Sequence, residues 1–140
     1  MLDALFTEVK VPQELYDEVC IAGKPEPQVL SAYLQGKIYK ADTGNFIEKA
    51  NGLGKGELAA ISLYKQLSAD LLLIDDARAR KVSYINSLEV MGSLGVLLLA
   101  KQKGLITFIK PCINRLRSSD IFISESLLEK TLAIANESFV

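Results

Sequence analysis

The sequence predicts an α/β domain of three layers, with short, mainly parallel strands flanked by helices. Three observations predict it. Short apolar or alternating stretches recur between segments whose apolar residues fall at helical spacing. One stretch, residues 71–74, is the continuous run Leu-Leu-Leu-Ile, the pattern of a strand buried on both faces in a parallel sheet. The chain has 140 residues and is 49% apolar, enough for the core of one domain. Short strands alternating with helices build layered α/β folds. No internal repeat, low-complexity tract or linker divides residues 1–140.

In chain order, residues 1–6 read as the last turns of a helix. Residues 7–11 alternate polar and apolar, a short strand that ends at Pro12. Pro12 then opens a helix that runs to about Cys20, with Leu15, Val19 and Ala22 at helical spacing. Lys24-Pro25-Glu26-Pro27 is a break. A helix is expected near 28–35, stopped by Gly36, and a short strand over 37–41. Residues 42–56 hold four glycines and read mostly as loop. A helix covers 57–67, and the strand 71–74 ends at Asp75 and Asp76. Residues 77–87 form a helix with a basic face, and 88–91 a further strand. Gly92 leads into a helix through about Gln102, ended by Gly104. Residues 111–117 and 124–135 are the closing helices. Ser124 is the N-cap of the last one, with Ile123 and Leu128 as its hydrophobic staple.

Composition excludes several function classes. There is no histidine, which removes histidine acid–base and triad chemistry. Two cysteines, Cys20 and Cys112, cannot make a structural zinc site without histidine. They read as reduced, partly buried thiols of a cytoplasmic protein. Asp3 and Glu8 interrupt the first apolar residues and no basic region precedes them, so the start does not read as a signal peptide. The longest apolar runs, 70–74 and 96–100, are too short to span a bilayer.

Net charge is −1, which gives no argument for nucleic acid as a partner. The distribution is uneven, however. Between positions 77 and 119 stand Arg78, Arg80, Lys81, Lys101, Lys103, Lys110, Arg115 and Arg117, with Glu89 the lone acid. Such a stretch beside acidic positions suits either a phosphate-binding face or ordinary solvated helix surfaces.

Three acidic positions stand out. Glu18 lies at the border of its helix's apolar stripe, as a boundary residue does. Glu57 begins a helix directly after Gly54-Lys55-Gly56, where negative charge is favourable in any case. Asp75 and Asp76 close an apolar strand and open a helix, the place of an N-cap. It is also the edge where open α/β sheets bind ligands. Carboxylates gathered there repel one another unless a cation joins them, and hard divalent ions take oxygen ligands. Such an ion activates water and steadies the leaving oxygen of a phosphodiester. The glycines at 52, 54 and 56 have the spacing of neither a dinucleotide fingerprint nor a P-loop.

These residues carry a resemblance. The segments are VKVPQELYDEV at 9–19, GKGELAAISL at 54–63, DLLLIDDARAR at 70–80, and MGSLGVLLLAK at 91–101 followed by GLI at 104–106. In this order, with the closing segment 121–137, the chain resembles PIN domains. It is most similar to the PIN-like group of small prokaryotic predicted nucleic-acid-binding proteins. PIN domains gather acids at the end of a parallel sheet, bind Mg²⁺ or Mn²⁺ and cut RNA, and many are toxins of toxin–antitoxin pairs. The resemblance implies Glu18 and Glu57 as catalytic and metal-binding helix acids. It implies Asp75 or Asp76 as the acid after the later strand. The basic residues placed to bind RNA are Arg78, Arg80, Lys81, Lys101 and Lys103.

The family begins with a strand ending in an aspartate, which does not precede residues 2–6 of this sequence. The expectation is therefore of an upstream coding segment, or of a partner or swapped element that fills that place. The implied function is a Mg²⁺- or Mn²⁺-dependent ribonuclease, a toxin acting with an antitoxin protein. The alternatives are a catalytically inactive PIN-like module that binds RNA or protein, and a self-associating domain without nucleic acid. Leu2, Leu5 and Phe6 start the chain with little to cover them, so a homodimer is expected.

Overall fold

The structure is a computed structural model that describes residues 2–19, 32–42, 47, 51–118 and 123–137. It is a mixed α/β fold. The elements are α1 (Leu2–Leu5), β1 (Val11–Pro12), α2 (Gln13–Val19), β2 (Ile38–Tyr39), α3 (Lys55–Leu67), β3 (Leu72–Leu73), α4 (Ala77–Ile85), β4 (Val90–Met91), α5 (Ser93–Gln102), α6 (Lys110–Arg117) and α7 (Glu125–Ile134). Residues 32–34 are also helical. The break at 24–27 and the first half of the helix expected at 28–35, residues 28–31, lie outside the described residues.

The chain divides into two compact units, Glu8–Met91 and Met1–Thr7 with Gly92–Val140. The first holds both strand pairs. β1 pairs parallel with β2, Val11 opposite Ile38 and Pro12 opposite Tyr39. β3 pairs parallel with β4, Leu72 opposite Val90 and Leu73 opposite Met91. Parallel neighbours need a crossover between them, and α4 supplies it for the second pair. The parallel pairing was legible in the apolar run at 71–74. Each strand is shorter than the sequence suggests. Hydrogen bonding continues just past the ends, from Leu72 N–H to Glu89 O and from Ile74 N–H to Met91 O, each at 2.9 Å. The run is also not buried on both faces, since Leu72 is buried while Leu73 is 38% exposed.

Pro12 ends β1 rather than opening α2. It has no N–H to give a ladder, and a strand end tolerates that. The pair is anchored one residue earlier, where Val11 N–H donates to Lys37 O at 2.9 Å.

α3 is the centre of this unit and packs against β1, α2, β3 and α4. Ile61 and Ala59 are fully buried on it, and Leu63 nearly so. Ile61 joins Ile47, Leu72, Val82 and Leu88 in one apolar cluster, with Leu53, Leu58, Tyr64 and Ile74 packed around it. Ala59 and Leu63 meet Ala41 in a second. Ser68, in the left-handed conformation at φ 51°, stops the helix. Its N–H and that of Ala69 close onto the carbonyls of Lys65 and Tyr64.

In the other unit, Leu97, Ile109, Ile113, Leu128, Leu132 and Ala135 form the core, brought together from α5, α6 and α7. Ser124 caps α7 as its sequence suggests, accepting from Leu127 N–H at 3.2 Å. Ile123 packs on the cluster that contains Leu128. Cys112 is a free, half-buried thiol against the same core. Cys20 lies outside the described residues.

Candidate functional site

The head of α3 is where the geometry converges. Its N-cap is Gly54, with Lys55 and Gly56 the first two helical residues. The sequence places this tripeptide in a loop, but the helix begins two residues earlier than the apolar periodicity shows. Neither Gly54, at φ −70° and ψ 166°, nor Gly56 has a positive φ. Their backbone conformations are open to any residue.

Two carboxylates occupy the space that a Cβ on either glycine would need. Glu18 projects from α2 so that its Oε2 and Oε1 lie 2.9 and 3.1 Å from the point a Cβ on Gly56 would occupy. Glu57 folds back over the N-cap, its Oε2 against the corresponding point on Gly54. As the third helical residue it stands where a capping-box glutamate stands. Glu18 and Glu57, 39 positions apart in the notation of sequence, are thus both seated on the first turn of α3. Partial positive charge at a helix N-terminus favours both. Glu18 is exposed and Glu57 half-buried.

Asp75 and Asp76 lie at the carboxyl end of β3, both exposed. Asp76 is the N-cap of α4, and its Oδ2 accepts from Ala79 N–H at 2.9 Å. A capping carboxylate keeps a second oxygen for other donors or a cation.

Arg78, two residues further on, ties the two regions together. Its Nη2 donates to the Asn51 carbonyl, just ahead of the glycines. Its guanidinium fills the space beside Gly52, with Nη2 2.6 Å from where a Cβ would stand. Gly52 also has φ +88°, the left-handed conformation that favours glycine. Arg78 therefore braces the turn that leads into Gly54-Lys55-Gly56-Glu57.

The other expected basic residues have distinct surroundings. Arg80 is half-buried, and its Nη2 lies 3.4 Å from the Tyr84 hydroxyl. Lys81 and Lys103 are exposed. Lys101 is half-buried, ion-paired with Glu137 Oε2 at 2.9 Å, hydrogen-bonded to the Ala135 carbonyl and placed over the Phe108 ring. Its ammonium is committed to holding the C-terminal segment.

Sequence reasoning missed Gly54 and Gly56 as parts of the site. A signal existed. Two glycines separated by one residue immediately precede a helix-opening glutamate, and a simple turn does not need both.

The model of the family described as PIN domain matches residues 1–137. The chain belongs to the PIN domain family, whose fold is nuclease-like and whose members generally use divalent metals. Comparison with curated proteins and with solved structures finds no match.

Among the described residues, no group of three or more acids or thiols is arranged to hold a metal ion. The donor chemistry still fits Mg²⁺ or Mn²⁺. Mg²⁺ takes one or two protein carboxylates and completes its sphere with waters and substrate phosphates. The Glu18 and Glu57 carboxylates over one helix turn supply that kind of set. No helix among the described residues is long and apolar enough to cross a membrane.

Proposed function

We propose that the chain is a Mg²⁺- or Mn²⁺-dependent endoribonuclease, with Glu18 and Glu57 as the principal metal-binding acids and Asp75 or Asp76 as a third. One observation carries the reading. Two carboxylates from separate helices rest on the same helix turn, each against a glycine whose missing side chain makes room for it.

The bound ion would lower the pKa of a water and offset charge on the scissile phosphate. The chain's own residues do the rest. Glu18 and Glu57 would hold the ion by their carboxylate oxygens at the head of α3. Arg78 holds the turn before α3, so that Glu57 keeps its place relative to the helix. Arg80 and Lys81 on α4, and Lys103 after α5, supply the cations that bind RNA phosphates. Lys101 contributes through the C-terminal segment that it holds. We further propose a cytoplasmic homodimeric toxin, held in check by an antitoxin protein.

The test is cleavage of a single-stranded RNA by the purified chain. We expect activity with Mg²⁺ or Mn²⁺, loss of it with a chelator, and a decrease of about a hundredfold or more in Glu57→Ala. Cleavage that persists unchanged in Glu57→Ala would sink the reading.

A second reading, a catalytically inactive module that binds RNA or protein, is favoured by one observation. The Asp76 side chain serves as an N-cap, a structural task that needs no metal. Metal-independent RNA binding with no cleavage would select it.

A further inference from the structure

Glycine within a helix is unfavourable by about 1 kcal/mol relative to alanine. Gly56 is a helical residue, is buried, and has no positive φ that would require it. Local backbone physics therefore favours alanine at this position. What opposes alanine is the Glu18 carboxylate, whose three terminal atoms lie 2.9 to 3.2 Å from the place of a Cβ.

From this juxtaposition we infer that Gly56 is a positioning residue: its bare Cα is the seat that sets where the Glu18 carboxylate stands over the head of α3. The inference rests on the functional reading above and deepens it. Gly54 does the same for Glu57, whose Oε2 lies against the Cβ position there. The two seats differ in use. Glu57 belongs to the same helix as Gly54, and an N3 glutamate folds back over its N-cap for local reasons alone. Glu18 comes from α2 and has no such local reason. Gly56 is therefore the more telling position.

The atoms a new methyl would meet at Gly56 are the far end of a flexible side chain, not backbone. Gly56→Ala should keep the fold, because Glu18 can swing aside. Swinging aside removes one carboxylate from the pair. Metal affinity should then fall while stability does not, which a merely structural glycine would not produce.

The experiment measures Mn²⁺ affinity by calorimetry, together with thermal unfolding, for the 140-residue chain and four variants. The variants are Gly56→Ala, Glu18→Ala, Glu57→Ala, and Gly56→Ala combined with Glu18→Asp. For Gly56→Ala we expect an unchanged or raised Tm and Mn²⁺ affinity lower by about tenfold. The aspartate is one methylene shorter and clears the added methyl, so the double variant should recover part of that loss. Wild-type Mn²⁺ affinity in Gly56→Ala, with affinity reduced in Glu18→Ala and Glu57→Ala, overturns the inference and leaves the functional reading standing. Undiminished affinity in both glutamate variants overturns the functional reading and the inference with it. Failure of Gly56→Ala to fold also overturns the inference, because a carboxylate able to swing aside cannot make the methyl intolerable.

Discussion

Glu137 illustrates how a single residue can matter without announcing itself in sequence. The N-cap of α6 is Ile109, which has no side-chain oxygen to accept from the helix's first N–H groups. Glu137 supplies the missing acceptor from 28 positions away, taking hydrogen bonds from Ile109 N–H at 2.9 Å and Lys110 N–H at 3.1 Å. Lys101 adds its ammonium at 2.9 Å. Burial pushes the Glu137 carboxyl up, but the bonds from Ile109, Lys101 and Lys110 outweigh it, and the group titrates below its ordinary value of 4.5. A depressed carboxyl stabilises the folded state above the unfolded value and loses that contribution as pH falls through the folded one. Glu137→Gln should therefore destabilise by about 2 kcal/mol near neutral pH, and by progressively less below pH 4.5, as the wild-type carboxyl itself protonates. Urea unfolding of both forms across pH 3 to 7 checks this; a gap that stays constant with pH contradicts it. Nothing at 137 could have shown this role in advance, because each partner is remote in sequence. The same holds for Lys101, whose place in a basic stretch suggested RNA and whose contacts are with the C-terminal segment.

At the scale of elements, what was legible followed local rules. Ser124 before an apolar periodic run, the helix after Gly92 and the strand before Asp75 all come from residues that are neighbours in sequence or one turn apart. The beginning of α3 was not legible, because two glycines hide a helix start that tertiary packing makes possible. Strand lengths were overestimated for the opposite reason. Apolar alternation marks which residues face inward, whereas ladder length depends on a partner strand far along the chain. α4 shows both at once. Asp76 before Ala77 reads as a cap, and it is one. The same position is also expected to be an acid of the site, and substitution can separate the two uses. Asparagine caps a helix about as well as aspartate, whereas alanine loses about 1 kcal/mol. Asp76→Asn should thus keep the wild-type Tm while lowering Mn²⁺-dependent cleavage, and Asp76→Ala should lower both. Full cleavage by Asp76→Asn would assign Asp76 to capping alone and leave Asp75 as the acid after β3.

For the whole molecule, the informative quantity is where charge lies, since the total is only −1. The stretch from 77 to 119 carries eight basic residues and a single acid, and it runs through both compact units. Arg78, Arg80 and Lys81 belong to the unit Glu8–Met91, and Lys101 and Lys103 to the other. If this stretch binds the RNA backbone, affinity must fall with salt, because each neutralised phosphate releases condensed counterions. The slope of log affinity against log salt changes by about 0.7 per contact on a single strand. Arg80→Ala with Lys81→Ala should then reduce the slope by about 1.4. Lys103→Ala should reduce it by about 0.7. Lys101→Ala should act differently. Its ammonium is already paired with Glu137, so its loss should lower Tm and change the slope little. Fluorescence anisotropy of a labelled single-stranded RNA at several salt concentrations, with a chelator present to prevent cleavage, separates these outcomes. A slope that is the same in every variant would remove the basic stretch from RNA binding. The acids at the head of α3 would then have to act on a substrate held by other residues.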